Sequence, residues 1–270
     1  MRRIGTTSGA HLAVTVAGDG PVVLFLHGIG SSRASFEPQV AALSARFLCV
    51  CPDAPGYADS ADQPMAGLDS YAEAFEDVVI AVGPSSPVAV VGVSFGGVIA
   101  TRIVRRGRID VGALVLADTS PGSGIDAERA RAMRHRADEL ARLGADSFAA
   151  ARAGHLVSAS AAPSLVERVR SAMAASIRLP GYRDAAAAMA ATDLRDEYRH
   201  VHCPTLVVVG QHDGVCPPSI ARDIADSIGC AEYSEIPDAG HLANQEQPDR
   251  FNEIVGAFLT NHLEPSRNGA

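Results

Sequence analysis

Five unbroken apolar runs recur through this chain with helical stretches between them, and that alternation leaves few folds open. The runs are Val22-Val23-Leu24-Phe25-Leu26, Phe47 to Cys51, Val88 to Val91, Ala113 to Leu116 and Leu206 to Val209; Glu232 to Ile236 is a shorter sixth. A strand that is apolar at every position is covered on both faces, which is the condition of the central strands of a parallel sheet. Amphipathic spacing predicts helices over about 36–45, 69–82, 96–106, 217–228 and 248–263. Strand and helix in alternation give parallel strands joined by right-handed crossovers, with helices on both faces. Residues 4–17 read as an antiparallel start, with Gly18-Asp19-Gly20 as the turn into the first buried run. The fold class is therefore α/β, built on a mostly parallel twisted sheet.

The segment from 122 to 192 breaks the rhythm. It has no strand pattern, is rich in Ala and Arg, and shows helical spacing such as Met133, Ala137 and Leu140. Pro163 and Pro180-Gly181 divide it into three or four helices. It holds ten Arg against seven Asp and Glu, so it carries +3, and the rest of the chain −11 of the formal −8. A helical insertion between two strands of a parallel sheet covers the C-terminal edge of the strands, where such sheets bind ligands. The expected division is a core of 1–121 and 193–270 and a helical cap, or lid, of 122–192. The tail from Pro265 is expected to fray.

Composition removes several chemistries. All 23 basic residues are Arg. Without Lys there is no Schiff base, no pyridoxal-phosphate catalysis and no P-loop. The formal charge of −8 argues against a nucleic-acid surface. No apolar stretch reaches the roughly 20 residues of a membrane helix, and no signal-peptide core follows the N-terminus. The five Cys contain no C-x-x-C pair and read as reduced, mostly buried thiols of a cytoplasmic protein. Cys49 and Cys51 alternate within an apolar run, as small hydrophobes on one strand face do. The expected partner is a small molecule, with no cofactor, metal, nucleic acid or membrane.

Gly92-Val93-Ser94-Phe95-Gly96 carries the sharpest chemical signal, because it falls between a predicted strand and a predicted helix. A nucleophile on so tight a strand-to-helix turn needs small neighbours, and the helix N-terminus behind it favours developing negative charge. A serine hydroxyl also needs a base held by a third group. His241 follows the last predicted strand, so its loop lies at the same sheet edge as Ser94. Asp213 follows the strand 206–209 and reaches that edge as well; the order Ser, Asp, His is that of α/β-hydrolases. Asp118, after the strand 113–116, is the alternative acid, or else a cap on the entry to the lid. His27-Gly28-Ile29-Gly30 follows the first buried strand, so the N–H groups of Ile29 and Phe95 are the expected oxyanion donors. His27 itself reads as a brace for its loop.

Together these motifs resemble the α/β-hydrolase superfamily over nearly the whole chain, and within it the 3-oxoadipate enol-lactonases. The residues that carry the resemblance are His27-Gly28-Ile29-Gly30-Ser31-Ser32, Glu37 to Leu43, the elbow at Ser94, Gly181-Tyr182 to Asp193-Leu194-Arg195-Asp196, Gly240-His241-Leu242-Ala243-Asn244 and Glu246-Gln247-Pro248. The chain departs from those lactonases at Phe95, where they usually have Met, and at Phe36, where Trp is common. Asp53-Ala54-Pro55-Gly56-Tyr57 and Phe95 resemble carbon–carbon bond hydrolases of aromatic ring-cleavage products. The resemblance implies a cofactor-free serine hydrolase of a small ester or lactone, with a place in aromatic catabolism. The alternatives are the carbon–carbon bond hydrolase and a cofactor-free haloperoxidase-like perhydrolase. The positive charge of the lid would suit an anionic substrate held by Arg forks.

Overall fold

Alternate residues of the apolar runs face opposite sides of one sheet, and both sides are buried. In the computed structural model, which describes residues 1–84 and 87–263, the strands are β1 (Arg2–Gly5), β2 (His11–Ala17), β3 (Val22–Leu26), β4 (Leu48–Pro52), β5 (Val88–Val93), β6 (Val111–Ala117), β7 (Thr205–Gly210) and β8 (Ala231–Ile236). They form an eight-stranded sheet in the order β1-β2-β4-β3-β5-β6-β7-β8. Leu24, Leu26, Val90, Leu114, Leu116 and Val207 pack on one side, and Val23, Phe25, Val91, Val115, Leu206 and Val208 on the other. β2 is antiparallel to both β1 and β4, and the remaining pairings are parallel. It does not pair with β3, which follows it. Gly18-Asp19-Gly20 therefore leads the chain across β4 rather than closing a hairpin.

The helices are α1 (Glu37–Leu43), α2 (Leu68–Val82), α3 (Phe95–Arg106), α4 (Ala127–Arg152), α5 (Pro163–Ser176), α6 (Leu179–Ala191), α7 (Pro218–Ile228), α8 (Ala243–Glu246) and α9 (Pro248–Leu263). Leu43 of α1 and Phe251, Val255 and Leu259 of α9 cover the Phe25 side; Phe75 of α2, Ile99 and Ile103 of α3 and Ile224 of α7 cover the Leu24 side. Cys49 and Cys51 share the Phe25 side and are buried among these apolar groups. The helix predicted over 36–45 is shorter than expected: a 3₁₀ turn at Arg33–Phe36 precedes it, and Pro38 sits in its first turn, where a missing N–H costs nothing.

Only helices occupy the segment between β6 and β7 besides turns. α4 is broken at Gly144, where φ is 73° and ψ 166°, so the segment holds four α-helical pieces besides the 3₁₀ turns at Ala153–His155 and Tyr198–His200. Met133, Ala137 and Leu140 of α4 are buried, and with Tyr182 and Ala185 of α6 they join the same apolar cluster as Leu24 and Ile99. These helices thus bury their apolar faces on the sheet-side core. At the N-terminus of α6 the backbone touches the loop after β4: a Cβ on Gly181 would lie 2.4 Å from the Gly56 carbonyl oxygen. Among the described residues no helix is long and apolar enough to cross a membrane. The fraying expected from Pro265 lies outside the described residues.

Candidate active site

Ser94 sits on the turn from β5 into α3 with φ 54° and ψ −117°. A non-glycine residue in that region costs about 1–3 kcal/mol and persists only where its surroundings hold it. Here the Ser94 N–H donates to the Ala117 carbonyl at 2.9 Å, and its own carbonyl accepts from Thr119 Oγ1 at 2.6 Å. The flanking glycines are a packing requirement. A Cβ on Gly96 would fall 1.9 Å from the Leu26 carbonyl oxygen, and one on Gly92 2.3 Å from that of Gly96. The turn closes only because both side chains are absent.

Three loops at this sheet edge converge on Ser94. His241 Nε2 is 3.0 Å from Ser94 Oγ, and His241 Nδ1 is 2.8 Å from Asp213 Oδ2. The other Asp213 oxygen accepts the N–H groups of Val215 and Cys216, each at 2.8 Å. His241 and Asp213 are buried. The His241 loop is tied to the end of β7, because His212 N–H donates to the Ala239 carbonyl at 2.8 Å. From the other direction, a Cβ on Gly28 would lie 3.1 Å from Ser94 Cβ, so the loop after β3 passes directly against Ser94. Ile29 belongs to that loop and lines the cavity beside Ser94. Phe95 opens α3, and an N–H in the first helical turn has no intrahelical acceptor.

Asp118 follows β6 but bonds elsewhere. Its carboxylate is fully buried and accepts Gly210 N–H at 2.8 Å and Ala243 N–H at 3.1 Å. It therefore braces the end of β7 against the start of α8. The lid-entry cap expected for it is not formed, since both partners lie outside 122–192. Burial, and next the neighbouring Asp213 carboxylate, push the Asp118 carboxyl well above the usual aspartate range against the pull of the two N–H groups. The carboxylate that reaches His241 is that of Asp213. His27 does brace its loop: Nδ1 bonds the Gly28 carbonyl at 2.8 Å and Nε2 accepts Ala54 N–H at 2.9 Å. Burial pulls its pKa down, so it is held neutral.

One participant was visible in the sequence only as part of the resemblance at Glu246-Gln247-Pro248, with no role assigned to it. Glu246, at the end of α8, accepts Gly240 N–H at 2.8 Å, Ser158 N–H at 3.0 Å and the Ser158 hydroxyl. It ties the loop before His241 to the segment between α4 and α5. Its partners are 6 and 88 residues away, and only the second distance joins the two halves of the site.

Ser94 and His241 open onto a cavity of about 950 Å³, lined by Ile29, Met133, Arg136, Met173, Tyr182 and Leu242 among others. Phe95 and Tyr57 do not line it. The Phe95 ring packs edge-on against Tyr71 with centroids 5.2 Å apart, and Tyr57 packs against His27 at 5.5 Å. Asp213, Cys216 and His241 offer ligand atoms within 4.8 Å of one another. Asp213 and His241 are already hydrogen-bonded to each other, and burial pushes the Cys216 thiol up, which leaves it protonated and a poor metal donor. The arrangement instead suits proton transfer from a hydroxyl to an imidazole backed by a carboxylate.

A model of an alpha/beta hydrolase family matches residues 23–254. The chain belongs to the alpha/beta hydrolase family. Among its relatives within this family is 3-oxoadipate enol-lactonase 1 of Acinetobacter baylyi, 26% identical over 95% of this chain and 96% of that protein. A pimeloyl-[acyl-carrier protein] methyl ester esterase of Vibrio cholerae is 28% identical over 91% of this chain and 96% of its own. Among solved structures, a thermophilic esterase from Thermogutta terrifontis superposes with a TM-score of 0.91 at 28% identity, over 97% of this chain and 99% of that one.

Proposed function

We propose that this alpha/beta hydrolase cleaves a small ester or lactone, in the manner of 3-oxoadipate enol-lactonases, with Ser94 as nucleophile, His241 as base and Asp213 as the triad acid. The observation that carries the reading is the continuous hydrogen-bond chain from Asp213 through His241 to Ser94 at the wall of the cavity. Residues 122–192 form the cap in this reading, over a hydrolase core of 1–121 and 193–270.

His241 Nε2 takes the Ser94 proton as Oγ bonds to the carbonyl carbon. Asp213 accepts from Nδ1–H throughout, which keeps Nε2 free to act as base and stabilises the imidazolium. The carbonyl oxygen, now negative, is held by the N–H groups of Ile29 and Phe95. The carbon–oxygen bond to the leaving alcohol breaks, and the alcohol takes the proton back from His241. Water then gives its proton to His241, adds to the acyl-serine, and releases the acid and Ser94.

The ester or lactone reading is favoured over carbon–carbon cleavage by what faces the substrate. Phe95 and Tyr57, the residues most like ring-cleavage hydrolases, are in the core and not on the cavity wall. Leu242, beside His241, is on the wall, where the carbon–carbon hydrolases commonly place an aromatic residue. The test is kcat/KM for an enol-lactone and for a 2-hydroxy-6-oxo-hexadienoate ring-cleavage product on one preparation. The lactone is expected to be the better substrate, and a ratio below one would reverse the assignment. A fluorophosphonate probe is expected to label Ser94 in the wild type and not in Ser94→Ala; equal labelling of both would remove Ser94 from the mechanism.

A further inference from the structure

The loop after β3 presses on Ser94 from one side, and what holds it from the other lies outside the cavity. At Gly28 the fit is tight, since a Cβ there would lie 3.1 Å from Ser94 Cβ, so the loop can yield only outward. Two consecutive residues after β4 oppose that movement. Ala54 N–H donates to His27 Nε2 at 2.9 Å, at the start of the loop. The Asp53 carboxylate grips the far end: Oδ1 accepts Arg33 N–H at 2.8 Å, and Oδ2 accepts the Arg33 guanidinium. The Asp53 side chain is fully buried. Its backbone is fixed as well, because its N–H donates to the Ala13 carbonyl of β2 at 2.9 Å and its carbonyl accepts from Ser60 Oγ at 2.8 Å. A buried carboxylate deprived of its cation is strongly unfavourable, so Asp53 holds Arg33 firmly. Arg33 is half-buried and pairs also with the exposed Asp59 at 2.7 Å, a contact of the kind that contributes little. Arg33 does not line the cavity, whereas Ile29, between the two grips, does.

We propose that Arg33 is a positioning residue for the oxyanion site: its ion pair with Asp53 sets how far the N–H of Ile29 stands from the carbonyl oxygen of the substrate. The inference rests on the reading of Ser94 as nucleophile and of Ile29 N–H as an oxyanion donor. Such a donor has to meet the oxygen where charge develops, not where the ground-state carbonyl lies, and a misplacement of about 1 Å can cost about 10²-fold. Loosening the far end of the loop therefore weakens the hold on the transition state and leaves binding of the substrate nearly as it was. Lys carries the charge of Arg but not its planar fork, so it replaces Arg33 only in part.

The experiment measures kcat and KM on a neutral 4-nitrophenyl ester, and the inhibition constants of phenethyl trifluoromethyl ketone and phenethyl methyl ketone. Ser94 Oγ bonds to the carbonyl carbon of the first, its proton passes to His241, and the ketone oxygen becomes an anion in the oxyanion site; the second binds as an intact ketone. In Arg33→Met, kcat is expected to fall by about 10- to 100-fold with KM little changed, the mark of an interaction made only in the transition state. The preference for the trifluoromethyl ketone should fall by a similar factor. Arg33→Lys should recover part of both losses, and Asp59→Asn, which removes only the exposed partner, should match the wild type. Wild-type kcat and preference in Arg33→Met, whatever its midpoint in urea, overturn the proposal, as does an equal loss in Asp59→Asn. Should Arg33→Met not fold, because Asp53 is left without its cation, the double variant Arg33→Met with Asp53→Asn removes both charges and carries the same expectation. Failure of both to fold makes the pair a determinant of stability alone and overturns the proposal. Equal affinity of the wild type for the two ketones would refute the oxyanion site itself, and the proposal with it.

Discussion

Replacing Asp213 with Asn exchanges one oxygen for an NH₂ group at almost constant volume, yet the surroundings dictate which way the amide must lie. On one side stand the backbone N–H groups of Val215 and Cys216, each 2.8 Å from Oδ1. Neither can become an acceptor, so the amide oxygen has to take that side. The NH₂ group is then set against His241 Nδ1, now 2.8 Å from Oδ2. Nδ1 has to accept, the ring proton moves to Nε2, and an N–H faces Ser94 Oγ across 3.0 Å. In that tautomer the imidazole cannot remove the serine proton. The same exchange in a serine protease triad lowers kcat about 10⁴-fold, which is about 5 kcal/mol of transition-state stabilisation. Asp118→Asn sets an NH₂ against the N–H of Gly210 or Ala243 instead. It should remove about 1–3 kcal/mol of folding stability while kcat changes by less than about tenfold. The assay is kcat on a neutral 4-nitrophenyl ester, alongside urea unfolding of all three proteins. If Asp118→Asn lost more activity than Asp213→Asn, the acid would come from the strand β6 side and the tautomer reasoning would be refuted.

Gly96→Ala drives a Cβ to within 1.9 Å of a backbone oxygen, which cannot move aside; a loss of about 3 kcal/mol or more is expected in urea unfolding, and a normal midpoint would show that the turn can open. Glu246→Ala strands three donors, at Gly240 and Ser158, so kcat should drop by about tenfold with faster proteolytic nicking near Ser158; Ser158→Ala, which removes only a hydroxyl, should do less, and wild-type behaviour of both would mean that the tie does not position His241. Asp118 supplies a pH dependence of stability. Burial raises its carboxyl in the folded state, so the folded protein holds a proton that the unfolded chain releases above about 3.9, the ordinary aspartate value. Stability should therefore fall as pH rises from that value toward the folded-state pKa. Asp118→Asn should flatten this slope, and an identical slope in both proteins would show that Asp118 titrates normally.

Much of the frame was legible because burial on both faces leaves a plain mark. Val22 to Leu26 and Leu206 to Val209 are apolar at every position, and each became a central strand with alternate residues in two separate clusters. The elbow at Ser94 was equally legible, because Gly92 and Gly96 answer a steric demand made within five residues of chain. The antiparallel partner of β2 was not, since pairing with β4 rather than β3 depends on strands apart in sequence. The sequence favours Asp213 over Asp118, but spacing cannot give the reason, as both follow parallel strands at the same edge. What separated them was where neighbouring loops placed N–H groups and an imidazole: Gly210 and Ala243 engage the first, His241 the second. Glu246 reaches a partner 88 residues away in the chain. The sequence by itself determined which residues must be buried and which turn must be tight, because those demands are local and steric. The tertiary structure alone decided which polar groups find partners, because that depends on distances of about 3 Å between segments far apart in the chain.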